Sequence, residues 1–145
     1  MTGIVINDMN VISNMLKVTA AVIEKDGRIL IARRKIGDRF GGKWEFPGGK
    51  IHLGETPAAC LKRELKEEFD IEAEIGEFIC SSKFSYLGMP LELLVYKARH
   101  VSGEFKPVDH DEIKWVPPGE LRGYDYVKAD VAVVEKLLRD VYHAA

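Results

Sequence analysis

Cysteine is scarce in this chain. Only Cys60 and Cys80 occur, and neither stands in a CxxC pair or beside clustered histidines, which speaks against a disulfide framework or a structural zinc site and leaves reduced thiols as the expectation. Long apolar runs are missing too: nothing approaches the roughly 18 residues of a membrane span, and the N-terminus shows neither the basic start nor the continuous apolar stretch of a secretion signal. A cytoplasmic protein without membrane association is expected. Charge of one sign is not in excess, since 21 Lys and Arg face 23 Asp and Glu for a formal net charge of -2. Polymeric nucleic acid, which binds through its backbone to a basic surface, is therefore a poor partner. Internal repeats and low-complexity tracts are likewise absent. What is present is 145 residues, 46% of them hydrophobic, enough for one domain over 1–145 with a modest core.

Residues 1–16 follow no clear period and read as an N-terminal arm or extra strand, or as a leader ahead of a true start at Met15. Two β-branched runs then follow, at 17–24 and 28–34, joined by Lys25-Asp26-Gly27, and Asp-Gly predicts a tight hairpin. After an irregular loop at 35–43, Trp44-Glu45-Phe46 predicts a short strand ended by Pro47-Gly48-Gly49. Thr56 and Pro57 predict the cap and first turn of a helix to Phe69, with Ala58, Leu61, Leu65 and Phe69 as its apolar stripe. Strands are expected near 75–86 and 91–101, around a Leu87-Gly88-Met89-Pro90 turn, and again at 113–116. A final helix is predicted over 127–142, with Val131, Val134, Leu138 and Val141 on one face.

Glu64, Glu67 and Glu68 are the conspicuous feature of the first helix. At i, i+3 and i+4 their carboxylates share a face and repel one another. Arg63 and Lys66 are expected to project away from that face, so the missing counter-charge is read as a hard divalent cation, for which oxygen ligands and shared phosphate coordination are the natural setting. A solvated acidic face is the plain alternative for the helix taken alone.

Context favours the cation. Gly49, Glu55, Arg63-Glu64-Leu65, Glu67-Glu68 and Asp70-Ile71 stand at spacings that resemble the Nudix box, with Asp70 replacing the usual glycine at a position that reads as a left-handed helix terminus. Trp44-Glu45-Phe46-Pro47-Gly48-Gly49-Lys50 and the preceding hairpin are similar to MutT-type members, so the resemblance covers roughly 17–138. It implies an α/β (α+β) fold, namely an α/β/α sandwich whose mixed central sheet is flanked by the Nudix-box helix and a C-terminal helix. It also implies a Mg²⁺-dependent pyrophosphohydrolase, with Mn²⁺ as a possible substitute. By the same resemblance Glu67, Glu68 and the Gly48 carbonyl match metal ligands, Glu64 matches a residue that serves as ligand or general base, and Arg63 matches an arginine that orients a glutamate, here Glu55. Asp109 matches a late-loop carboxylate, with Asp111 and Glu112 as substitutes, while His110 beside it reads as a surface histidine.

Substrate contacts implied by the resemblance are Arg33, Arg34, Glu45, Phe46 and Asp130 for the base, and Lys50 for a phosphate. Asp130, read as an ionised carboxylate that only accepts hydrogen bonds, suits a base edge offering a donor. The expected reaction is hydrolysis of a nucleoside triphosphate, CTP, modified dCTP or oxidised dGTP, to monophosphate and pyrophosphate. ADP-ribose or a nucleotide sugar is the alternative substrate, and a non-catalytic nucleotide-sensing domain the alternative role. A monomer or a homodimer is equally compatible with the sequence.

Overall fold

β1 (Leu16–Lys25) carries the run Ala20-Ala21-Val22-Ile23, buried throughout, as a strand covered on both faces must be. The computed structural model describes residues 16–143, so the arm expected at the N-terminus lies, but for its last residue, outside the described residues. From β1 the chain turns at Asp26-Gly27, both at positive φ, into β2 (Arg28–Arg34), which pairs with β3 (Trp44–Glu45) on one side and β7 (His110–Val116) on the other. On its far edge β1 runs parallel to β6 (Met89–Ser102), which pairs antiparallel with β5 (Glu72–Tyr86). β4 (Gly48–Lys50) also lies antiparallel to β1, along Val18–Ala20. The sheet is therefore mixed and, among the described residues, seven-stranded.

Alternate residues of the central strands feed two cores. Ala21, Ile23, Leu30 and Ala32 meet α1 (Pro57–Phe69) through Leu61, Leu65 and Phe69. Ala20, Val22, Ile29 and Ile31 meet α2 (Lys128–Asp140) through Val133, Val134 and Leu137. That period-two division of apolar side chains produces the expected α/β/α sandwich.

Several local expectations are corrected. Ala58 is exposed and Cys60 takes its place in the buried stripe of α1. Val131 is exposed as well; α2 turns Asp130, Val133, Val134 and Leu137 inward instead, because Asp130 has a partner inside that the apolar periodicity could not reveal. The β5–β6 turn is only Leu87-Gly88, both at positive φ, with Met89 and Pro90 already in β6 opposite Tyr86 and Ser85. Gly48 and Gly49, read as the end of a strand, form one of their own. A 3-10 helix over Pro118–Gly123, unforeseen, leads into α2.

Candidate active site

The floor of the site is the Gly48–Gly49 backbone. A Cβ on Gly48 would stand 1.9 Å from the Thr19 carbonyl oxygen, and one on Gly49 would stand 2.4 Å from the Glu64 carboxyl. Glycine is therefore required twice over: once for the strand to approach β1, and once for an acid of α1 to approach the strand. The Thr19 hydroxyl donates to the Gly49 carbonyl at 3.0 Å, tying the two strands on the helix side. Beneath them the buried Cys60 thiol lies 3.2 Å from the Lys50 carbonyl, and burial pushes its pKa up, away from the thiolate a nucleophile needs.

α1 is aimed at this floor by its ends. Thr56 accepts from the Ala59 N–H at 3.1 Å, with Pro57 at the first helical position. Asp70 terminates the helix in the left-handed region at φ 58 and ψ 38, as expected for a box glycine's place. Arg63 does not project away from the acidic face as expected. Its guanidinium grips Glu55 at 2.6 and 2.9 Å, reaches Glu64 at 2.9 Å and Glu67 at 3.2 Å, and donates to the Lys50 carbonyl at 3.1 Å. The long arginine side chain curls back across its own turn, which helical spacing alone cannot indicate. Glu55, bonded by Arg63 and by the His52 N–H, is held down to about 2.

The three glutamates are unequal. Glu67 is 59% exposed at its side chain and Glu64 is largely covered, whereas Glu68 is buried with its Oε1 lacking any hydrogen-bond partner. Burial first, then the adjacent Glu64, and then the charges of Glu45 and Asp109 push the Glu68 carboxyl far above the carboxylate range. A buried carboxyl oxygen with no partner is costly, and a cation would satisfy it. The donors fit a hard divalent ion: carboxylates, a neighbouring carbonyl-lined strand and no thiolate within the acidic face. Among the described residues no three such donors are already drawn together at ligating geometry, and Arg63 holds Glu64 and Glu67.

A cavity of about 610 Å³ opens over this floor, lined among others by Gly48, Gly49, Glu68, Asp109, Arg34, Glu45, Phe46 and Asp130. Asp109 faces it, while Asp111 and Glu112 are engaged with Arg33 at 2.7 and 3.4 Å. Arg33 thereby leaves the expected set: it sits on the opposite side of β2 from Arg34, over the Trp44 ring at 5.7 Å, and does not line the cavity. Lys50 and Glu67 are exposed residues outside the lining. Arg34 does line it, held by Asp38 at 2.8 and 3.0 Å and by both Glu45 oxygens at 3.1 Å. The Phe46 ring is buried, stacked on Tyr126.

Asp130 is 4% exposed, and its Oδ2 accepts from the Phe46 N–H at 2.9 Å. Burial pushes its carboxyl up to about 8, which runs against the ionised, acceptor-only reading. That shift favours the carboxylic acid form, which offers one donor and one acceptor. His110 is a second correction. Read as a surface residue, it is buried in the cavity wall with its Nε2 2.7 Å from Glu45 and its ring stacked on Phe69. Placing it needed the β2–β7 pairing, which sets His110 opposite Arg34. Asp38 was missed because a loop has no period to read.

The NUDIX domain family model matches residues 14–138. The chain is 35% identical to the CTP pyrophosphohydrolase of Escherichia coli over 86% of its own length and 92% of the relative's. It is 31% identical to the 8-oxo-dGTP diphosphatase of Haemophilus influenzae, over 89% and 96%. Its structure superposes on the solution structure of the Escherichia coli ORF135 protein with a TM-score of 0.79 at 34% identity, covering 90% of this chain and 95% of that one. Family members generally depend on a divalent metal, in agreement with the acidic face described above. With its box helix, glycine floor and sandwich all in place and matched over nearly their whole extent, the chain belongs to the NUDIX domain family and is a MutT-like Nudix hydrolase.

Proposed function

We propose that the protein hydrolyses a modified or oxidised nucleoside triphosphate to the nucleoside monophosphate and pyrophosphate, using Mg²⁺, which Mn²⁺ can replace. One juxtaposition carries this reading: the unpartnered Glu68 oxygen and the buried Asp130 carboxyl line a single cavity of about 610 Å³, a volume suited to a nucleotide. The relatives named for CTP and 8-oxo-dGTP support a triphosphate over ADP-ribose or a nucleotide sugar.

Glu64, Glu67, Glu68 and the Gly48 carbonyl would hold the metal, with Asp109 as a further carboxylate. A bound divalent cation neutralises phosphate charge and lowers the pKa of water. Glu64 serves as a ligand in this reading, because a carboxylate set among cations is a weak base. Arg63 orients Glu64 and Glu67, with Glu55 fixing its own position. Water adds to a phosphorus, the phosphoanhydride between the α- and β-phosphates breaks, and monophosphate and pyrophosphate separate, with water's proton passing to solvent. Arg34, Glu45, Phe46 and Asp130 surround the base, and Lys50 meets a phosphate from outside the cavity wall. Free Cys60 and Cys80 suit a reducing compartment, and the cytoplasm is proposed as the place of action.

The test is release of pyrophosphate and phosphate, with Mg²⁺ or EDTA, from a panel of normal, methylated and oxidised nucleoside triphosphates plus ADP-ribose. Metal-dependent pyrophosphate from a triphosphate supports the reading. Activity confined to ADP-ribose sinks it.

A further inference from the structure

His110 stands between two sets of groups that the proposed chemistry keeps apart in role. Its backbone follows Asp109, and the Val108 N–H just before donates to the Glu68 carbonyl at 3.0 Å, with the Lys106 N–H on the Phe69 carbonyl at 2.9 Å. The loop is thus fastened to the last turn of α1, beside Glu68. The His110 ring lies flat on Phe69, centroids 5.4 Å apart and planes 8° from parallel. From there Nε2 reaches 2.7 Å to Glu45 Oε2, while Arg34 clamps both Glu45 oxygens from another side at 3.1 Å. The next residue after Glu45 is Phe46, whose N–H holds Asp130 at 2.9 Å.

Each hydrogen bond of this series is 3.1 Å or shorter. A carboxylate can only accept, so the hydrogen lies on Nε2, and the ring's other nitrogen is left buried without a partner. A buried ring nitrogen without a partner is a cost that packing alone does not require, since an aromatic hydrocarbon would fill the same space on Phe69. What the histidine adds to such a ring is the hydrogen bond it gives to Glu45. Glu45 is itself fixed at both oxygens, and only one peptide unit separates its Cα from that of Phe46, about 3.8 Å.

We infer that His110 is a positioning residue which, through Glu45 and the Phe46 peptide, holds the Asp130 carboxyl in register with the Glu68 and Asp109 carboxylates, so that the identity of the base is expressed in turnover as well as in binding. The inference rests on the function proposed above. A base that seats well against Asp130 leaves Phe46 and Glu45 in place, and the phosphates then meet the acids of α1 at the right distance. A poorly seated base strains the same chain and misplaces the phosphates.

His110→Phe keeps the ring on Phe69 and deletes the donor, whereas His110→Gln replaces the donor on a flexible arm. Two readouts decide. The first is kcat and KM of the wild type, H110F, H110Q, D130N and the H110F/D130N double variant, on the preferred triphosphate and its unmodified counterpart. H110F should lower kcat on the preferred substrate about tenfold with little change in KM and shrink the discrimination ratio about tenfold, as expected for coupling through a contiguous network. H110Q should recover most of both, and D130N should add little to H110F. The second is hydrogen exchange at the Phe46 amide in the nucleotide-free protein, which should quicken about tenfold in H110F and return towards wild type in H110Q at equal global stability. Additive effects of H110F and D130N, or an unchanged discrimination ratio, overturn the inference. If the wild type cleaves no triphosphate, the proposed function falls by itself, and the Phe46 amide then decides: unaltered exchange in H110F overturns the link between His110 and Asp130.

Discussion

The Phe46 backbone N–H donates to the Asp130 carboxyl at 2.9 Å across 84 positions of sequence, joining the first residue beyond β3 to the first turn of α2. The bond costs the strand nothing, because Phe46 lies just past the paired Trp44–Glu45 segment. It leaves Asp130 with a second oxygen free to meet a ligand.

Asp130 should make stability fall with pH. Its carboxyl is raised to about 8 from an ordinary value near 4 in the unfolded chain, so the folded protein binds a proton that the unfolded chain has already lost. The contribution is full below about pH 4 and is lost progressively until the pH passes about 8. Asp130→Asn, neutral throughout, should flatten urea-denaturation stability between pH 5 and 9 relative to the wild type, by on the order of a few kcal/mol. Parallel pH profiles would show that Asp130 is ionised in the fold. On substrates, the same variant should shift preference among bases more than it slows the best of them; equal slowing on every base would remove Asp130 from base reading.

Replacing the acids of α1 should separate chemistry from folding. Glu67→Gln and Glu68→Gln are each expected to lose several orders of magnitude in turnover while far-UV circular dichroism is unchanged. Glu68 carries the stronger structural expectation, because its unpartnered Oε1 is the group that a cation would satisfy. Mg²⁺ should raise the wild-type Tm by several degrees, in line with about 2.7 kcal/mol at a hundredfold excess over Kd, and should barely move that of Glu68→Gln. Near-normal activity in either variant would sink the metal assignment.

The two glycines of the floor should fail differently. A methyl on Gly48 collides with the Thr19 carbonyl, which is backbone of the central strand, whereas one on Gly49 collides with the Glu64 carboxyl, the end of a side chain. Gly48→Ala should therefore cost stability, about 1–3 kcal/mol by analogy with overpacked cores. Gly49→Ala should keep most of the fold by displacing Glu64, and lose activity. Thermal denaturation and turnover measured on the same preparations distinguish them, and equal stability losses would mean that Glu64 is as immobile as a strand.

Much of this architecture is legible in the sequence because local chemistry and global fold agree. Asp26-Gly27 names a hairpin, Thr56-Pro57 names a helix start, and the box spacing places the acids. What is not legible depends on pairs distant in sequence. The period of α2 gives no sign that Asp130 belongs inside, since its partner is the backbone N–H of Phe46, just beyond β3. Arg33 and Arg34 are adjacent and chemically identical, and only the pleat of β2 sends one into the cavity and the other to Asp111 and Trp44. The direction of Arg63 escapes helical geometry because its long side chain can fold back over its own turn.

Asp70 offers the cleanest change to the fold without touching the chemistry. It holds φ 58 and ψ 38, a conformation that a residue with a Cβ enters at a cost of order 1 kcal/mol and glycine enters freely. Its carboxylate pairs with Lys66 at 3.2 Å, but both side chains are more than half exposed, and such pairs add little. Asp70→Gly removes the strain and adds some backbone entropy to the unfolded chain, so the net gain should be about 0.5 kcal/mol, raising Tm by about 1–2 °C with kcat unchanged. The Asp70 N–H to Lys66 carbonyl bond at 3.0 Å survives the substitution because it is backbone. A lowered Tm would mean that the Asp70 carboxylate holds the helix end more strongly than its exposure allows.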